Sequence, residues 1–206
     1  MNTTYERLLE RYNEGNVPWD AELPPPEVLA LIPTLPPGRA LDLGCGYGRA
    51  SIYMASQGWQ VDGVDFIDQA VAVARQRATA AGVDVRFHVA SITDLGFLAA
   101  PYDFALDVGC SHALDEAELR LYEGELARLL RPGAIFLLYV RLRDEDAPAE
   151  EGPRGMPESW LRAIFTADFD FTQVERGLTT MADGSSWASA WYWLRRKANP
   201  APAGSA

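Results

Sequence analysis

The sequence predicts an α/β fold: a mostly parallel sheet covered by helices on both faces and closed by an antiparallel hairpin. Three observations carry this. Apolar, strand-like runs alternate with helix-like segments from Arg39 to Leu142, the pattern of repeated strand–helix–strand units. The first of these runs, in "ALDLGCGYGRA" (40–50), breaks into glycines at alternate positions, Gly44, Gly46 and Gly48. The last two strand-like runs have no helix between them, so they pair as a hairpin.

Taken in order, "RALDLG" (39–44) is the first strand, and a helix runs through "RASIYMASQG" to Gly58. "QVDGVDF" (60–66) is the second strand. "DQAVAVARQRATAAG" (68–82) is a helix of strong helix formers, with Asp68 as its expected cap and a glycine at its stop. Strands at 83–91 and 102–109 follow, then an amphipathic helix over 114–131 closed by "RPG". "AIFLLYVRL" (134–142) is almost continuously apolar, as a strand covered on both faces must be. Residues 141–159 are acidic and rich in proline and glycine, and read as a loop. A short helix over 157–166 leads into "FDFTQVERGL" and "SSWASAWYWLRRK", joined by a turn containing Gly184. The tail 198–206 reads as disordered. No internal repeat or second domain stands out, so 1–197 is expected to be one domain, with 1–36 as an N-terminal segment before a core over 37–197.

The chain has 206 residues, 18 basic and 29 acidic, for a net charge of −11. That balance argues against nucleic acid, whose phosphates call for a basic surface. Lys197 is the only lysine, so a lysine-bearing phosphate loop is absent. Two cysteines, Cys45 and Cys110, make no disulfide framework. With no signal-like start and no long apolar run, the expectation is a cytoplasmic protein off the membrane. No metal is expected, and the oligomeric state is not readable.

A strand, a glycine turn and a helix at the start of such a sheet signal a nucleotide site. The dinucleotide fingerprint G-x-G-x-x-G/A fails here: counted from Gly44 its last position is Arg49, and from Gly46 it is Ser51. The residues read D-x-G-x-G-x-G from Asp42 instead, with Asp65 ending the second strand where a carboxylate can accept ribose hydroxyls. Asp107 belongs to the same expected pocket mouth. A pocket edged by carboxylates suits a cation better than a pyrophosphate. S-adenosylmethionine, with a sulfonium, an ammonium and no phosphate, is the better match.

In order and spacing, "ALDLGCGYGRASIYMA", "VDGVDF", "VRFHVASITDL", "YDFALDVG" and "LLRPGAIFLLYV" resemble the motifs of class I S-adenosylmethionine-dependent methyltransferases. The resemblance covers about 1–197. It implies a Rossmann-like, doubly wound sheet of seven strands ending in the hairpin. "YNEGNVPWDAELPPPEVLALI" is similar to the segment preceding the core in the thiopurine, tellurite and thiol methyltransferase-like branch, where it forms a lid.

By that resemblance, Gly44, Gly46 and Gly48 lie against the methionine part of the cofactor, and Asp42 supports the loop or the cofactor's ammonium. Asp65 takes the ribose hydroxyls, with Phe66 beside the adenine. Ser91 and Ile92 fall near the adenine, with serine where the family usually has an acid. Trp19 covers the methionine end, with Tyr12 as a second lid residue. Asp107 stands between cofactor and acceptor. His112 follows the fourth strand, where a base can act, and a helix-start or packing role is the competing reading. Cys110 reads as a small apolar residue, His88 as structural, and Trp187, Trp191 and Trp193 as core or interface aromatics on one strand face.

The implied function is methyl transfer to a small molecule, with a pocket walled by residues around Tyr5–Trp19 and by the 141–159 loop. A thiolate or metalloid anion needs no general base, whereas a hydroxyl or protonated amine does. Asp107 and His112 are the candidate bases and the sequence offers few others, which favours a thiol, metalloid or other soft acceptor. An O- or N-methyltransferase of a natural product and a non-catalytic cofactor-binding protein are the alternatives.

Overall fold

The computed structural model of the chain describes residues 4–144, 155–180 and 184–198. Residues 199–206 of the expected disordered tail, 145–154 of the expected loop and 181–183 of the hairpin turn lie outside them.

Helices α1 (Thr4–Asn13) and α2 (Pro26–Leu31) precede the sheet. Then come β1 (Arg39–Leu43), α3 (Arg49–Ser56), β2 (Gln60–Asp65), α4 (Asp68–Ala81) and β3 (Val85–Val89). They are followed by β4 (Tyr102–Val108), α5 (Glu116–Leu129), β5 (Leu130–Arg141), α6 (Glu158–Phe165), β6 (Phe169–Thr180) and β7 (Ser186–Arg196). One seven-stranded sheet has the order β3-β2-β1-β4-β5-β7-β6. Strands β1 to β5 are parallel, and β7 runs antiparallel between β5 and β6. The order reverses between β1 and β4, so a crevice opens beyond their C-terminal ends, where doubly wound sheets hold ligands.

Period-two alternation divides each strand between two cores. Leu41 and Leu43 face one side with Tyr122, Leu126, Phe136 and Phe165, under α5 and α6. Ala40, Phe104, Leu106 and Leu137 face the other with Val28, Ile32 and Met54, under α2 and α3. The Trp191 ring joins this second core, packed beside Trp193 and Tyr139.

Two local expectations are corrected. Asp68 does not cap α4: it is the first helical residue, Ile67 precedes it, and no side chain caps the helix. The N–H of Ile67 is instead taken by Asp65, two residues back. The helix before β5 also ends early, because Leu130 already has strand dihedrals and pairs with Tyr102. "RPG" therefore forms an irregularity inside β5 rather than a helix exit, and pairing resumes at Phe104 and Ile135. At the other end of α5, Asp115 and Glu118 form a reciprocal capping box.

Candidate active site

The loop after β1 turns sharply because Gly44 and Gly46 adopt φ of +68° and +53°, a region that side chains other than glycine rarely occupy. Space is also short: a side chain on Gly46 would meet the Tyr12 hydroxyl at 3.2 Å, and one on Gly44 would collide with Cys110. The amides of Gly44 and Cys45 donate to the Val64 carbonyl at 2.8 and 3.0 Å, which ties the loop to β2.

Residues after α1 close over this loop as a strap. Tyr12 is buried, and its ring lies edge-on to Tyr47 at 5.2 Å and to Trp19 at 5.9 Å. The Trp19 indole N–H donates to the Tyr12 hydroxyl at 3.3 Å. Asp20 takes two hydrogen bonds from the Arg77 guanidinium, both at 2.8 Å, and that guanidinium lies 4.7 Å from the Tyr47 ring centre. Trp19, Asp20, Asp42, Gly44, Gly46, Tyr47, Arg49 and Val108 thus share one cleft. It encloses about 40 Å³, far less than the several hundred Å³ of a typical cofactor pocket.

Two carboxyls, one lining the cleft and one holding its loop, are each fixed by hydrogen bonds. The Asp42 carboxyl is buried and accepts from the Ser51 hydroxyl at 2.5 Å. Burial pushes it up to about 6, against the Ser51 hydrogen bond and the Arg49 charge. Asp65 accepts from the amides of Gly46 and Ile67, each at 2.9 Å. Burial raises its carboxyl too, opposed by those same amides.

The remaining expected site residues are dispersed. Phe66 is half-buried with its ring 5.7 Å from Tyr5. Ile92 is buried in the core with Leu43 and Val64. Ser91 is exposed, bonded to Thr93, and lines a separate shallow groove with Arg75, Phe87 and His88. Asp107 is fully buried and accepts from the Cys110 and Ser111 amides and the Tyr122 hydroxyl, at 2.7, 3.0 and 3.0 Å. The geometry therefore makes it the anchor of the turn after β4, and gives it no opening to the cleft. Burial lowers His112 to about 4, aided by the Arg141 charge, so its ring is neutral at ordinary pH. Its Nδ1 accepts the Arg141 backbone N–H at 3.3 Å, which leaves the ring proton on Nε2.

Residues 40–133 match the family model described as a methyltransferase domain. The chain is 35% identical over 190 residues to a ubiquinone biosynthesis O-methyltransferase of Xanthomonas campestris, covering 86% of the chain and 73% of that enzyme. The chain belongs to the class I S-adenosylmethionine-dependent methyltransferases. Against a putative methyltransferase of Geobacillus, 30% identical, this methyltransferase aligns over half its length and spans only 42% of that relative. Among solved structures, a protein concerned with converting a disulfide into a thioacetal during echinomycin biosynthesis superposes with a TM-score of 0.76. It is 26% identical, and 94% of each chain is covered. A Burkholderia thailandensis 1,6-didemethyltoxoflavin-N1-methyltransferase with bound S-adenosylhomocysteine gives 0.75 at 24% identity, over 93% of this chain and 86% of that one.

S-adenosylmethionine is accordingly the cofactor of this methyltransferase, and the cleft suits it. Asp42 and Arg49 put opposite charges on one cleft, as the zwitterionic methionine end requires, and Gly44 and Gly46 line it with backbone alone. Sequence reasoning missed Asp20, Tyr47 and Arg49 as lining residues. Asp20 stood in "PWD" and Tyr47 between two glycines, but Arg49 was visible only as a mismatch to the dinucleotide pattern.

Proposed function

We propose that this methyltransferase acts on a small molecule that arrives already ionised, with a thiolate, metalloid anion or other soft nucleophile as the acceptor. One observation carries this: neither candidate base turns an open basic atom toward the cleft, since Asp107 is fully buried and the His112 Nδ1 is engaged. Asp107 is occupied by three donors and His112 Nδ1 by a backbone N–H. Among the described residues, neither Asp107 nor His112 is placed to take a proton from an acceptor. The sulfur chemistry named for the echinomycin-pathway relative supports the same reading.

When bound, S-adenosylmethionine would supply an electrophilic methyl group on a sulfonium for the acceptor's lone pair. The protein's part is to hold, align and exclude water. In this reading Asp42 meets the ammonium and Arg49 the carboxylate of the methionine end. Asp65, holding Gly46 with one oxygen, offers its remaining lone pairs to the ribose, with Phe66 beside the adenine and Ser91 and Ile92 beyond it. Gly44, Gly46 and Gly48 form the floor, and Trp19 and Tyr12 the cover. Residues 1–197 act as one catalytic domain, and two free cysteines suit a reducing, cytoplasmic setting.

A phenolic oxygen is the second reading, favoured by the O-methyltransferase relatives. An acidic phenol also arrives ionised, so the missing base does not oppose it. Calorimetric titration with S-adenosylmethionine and S-adenosylhomocysteine, with NADH as control, comes first. Binding of the first two alone is expected, followed by methylation of thiols, metalloid anions or phenols in a mass-spectrometric screen. Binding of NADH alone would overturn the proposal.

A further inference from the structure

Beside the cleft, the sheet carries a cation that no described carboxylate neutralises. Arg141 ends β5, half-buried, with its guanidinium carbon 4.9 Å from the centre of the Trp187 ring. Stacking occupies the flat face of a guanidinium and leaves the N–H donors around its edge. Among the described residues no carboxylate pairs with this group and no acceptor takes its edge donors. The chain has 29 acidic residues against 18 basic, and Asp20, Asp62, Asp103, Glu116, Glu125, Glu158 and Asp168 all hold arginines elsewhere. A guanidinium stacked on an aromatic face keeps its edge donors available to an anion.

Its surroundings are equally particular. The Arg141 peptide is pinned on both sides, its N–H on His112 Nδ1 and its carbonyl accepting from Met156 at 2.9 Å. The Nε2–H left on His112 has no acceptor among the described residues. Tyr139 lies on the same sheet face, its hydroxyl accepting from the Trp187 indole at 3.2 Å and bonded to Thr179 at 2.7 Å, its ring 5.2 Å from Trp191. Gly109 joins this cluster to the cofactor cleft: its N–H bonds the Tyr139 carbonyl, and a side chain there would run into His112 at 3.0 Å. Val108, the residue before it, lines the cleft itself.

We propose that Arg141, stacked on Trp187, and the Nε2–H of His112 form the acceptor subsite, and that it takes a planar aromatic molecule carrying an anionic oxygen group. This rests on the methyltransferase reading and deepens it. The aromatic wall of Trp187 and Tyr139 selects a flat ring, and Arg141 with His112 selects the charge.

The test is calorimetry on protein already saturated with S-adenosylhomocysteine, using salicylate, phenol and glycolate as probes. These separate the flat anion from the flat neutral ring and from the small anion that lacks a ring. Salicylate is expected to bind at least tenfold more tightly than either. Arg141→Met should remove that preference, and Arg141→Lys should restore part of it, while S-adenosylhomocysteine affinity and melting temperature stay near wild type. Should Arg141→Met fold poorly, His112→Phe provides the second variant, with the same loss of salicylate binding expected. Equal binding of salicylate and phenol overturns the anion site, and equal binding of glycolate overturns the aromatic wall. Absence of binding by all three at millimolar concentration, with S-adenosylhomocysteine bound normally, overturns the subsite and leaves the cofactor reading standing. Failure of S-adenosylhomocysteine to bind at all overturns the cofactor reading instead.

Discussion

The Asp65 carboxylate, at the end of β2, accepts the backbone N–H of Gly46 at 2.9 Å, so the second strand holds the loop that follows the first. Its other oxygen takes the Ile67 amide, also at 2.9 Å, and sets the entry to α4. Asp65→Ala frees both amides inside the fold. Hydrogen bonds to a charged group are worth about 1.5–3 kcal/mol each, so a stability loss of roughly 2 kcal/mol or more is expected in denaturant titration. Calorimetry should show loss of S-adenosylhomocysteine binding as well. Normal cofactor affinity in a folded Asp65→Ala protein would remove its ribose role.

Asp42 gives a pH dependence with a definite sign. Burial raises its carboxyl from 3.8 to about 6, so protonation favours the folded state. The stability it contributes is present below about pH 4 and is lost as pH rises through about 6. At pH 8 the ionised group costs on the order of 3 kcal/mol, taken from the size of that rise. Asp42→Asn should raise the melting temperature at pH 8 but not at pH 4. Because an ammonium requires the ionised form, S-adenosylmethionine binding to the wild type should weaken as pH falls below about 6, and binding to Asp42→Asn should be weak throughout.

Asp20 and Arg77 latch the strap over the cleft, so breaking this latch is expected to ease cofactor exchange. An ion pair of this exposure is worth at most about 1 kcal/mol. Asp20→Asn should therefore speed S-adenosylhomocysteine dissociation about fivefold in stopped-flow fluorescence, read on Trp19. Raising salt should speed the wild type toward the variant, since screening weakens the same pair. Identical rates in wild type and variant would show that the strap opens elsewhere.

His112 separates a donor from a base by simple replacement. Gln can present an N–H near the Nε2 position but cannot take a proton. Activity that survives substantially in His112→Gln and falls at least tenfold in His112→Phe identifies a donor; equal loss in both identifies a base. Neutral down to about pH 4, His112 should also contribute no inflection to the pH–rate profile near 6.5, leaving the acceptor's own ionisation to shape it.

Much of this was legible in the sequence because it is written locally. Gly44 and Gly46 announce a turn of positive φ, Gly82 ends α4 in the left-handed region, and the even apolar run of β5 demands cover on both faces. Asp42 and Asp65 lie near the C-terminal ends of β1 and β2, where strand period and chain order alone put them. The absent helix before β7 foretold the antiparallel pair.

What only the tertiary structure decided was which charged and polar groups are already spoken for. Asp107 looks like a base until the amides of Cys110 and Ser111 and the Tyr122 hydroxyl, from two other elements, close on it. His112 looks like a base until the β5 backbone takes its Nδ1. Arg141 looks like any exposed arginine until the stacked Trp187, and the lack of a described carboxylate beside it, set it apart. Backbone periodicity places a residue on a face; its protonation, its partners and its freedom depend on atoms dozens of residues away, and those meet only when the sheet is assembled.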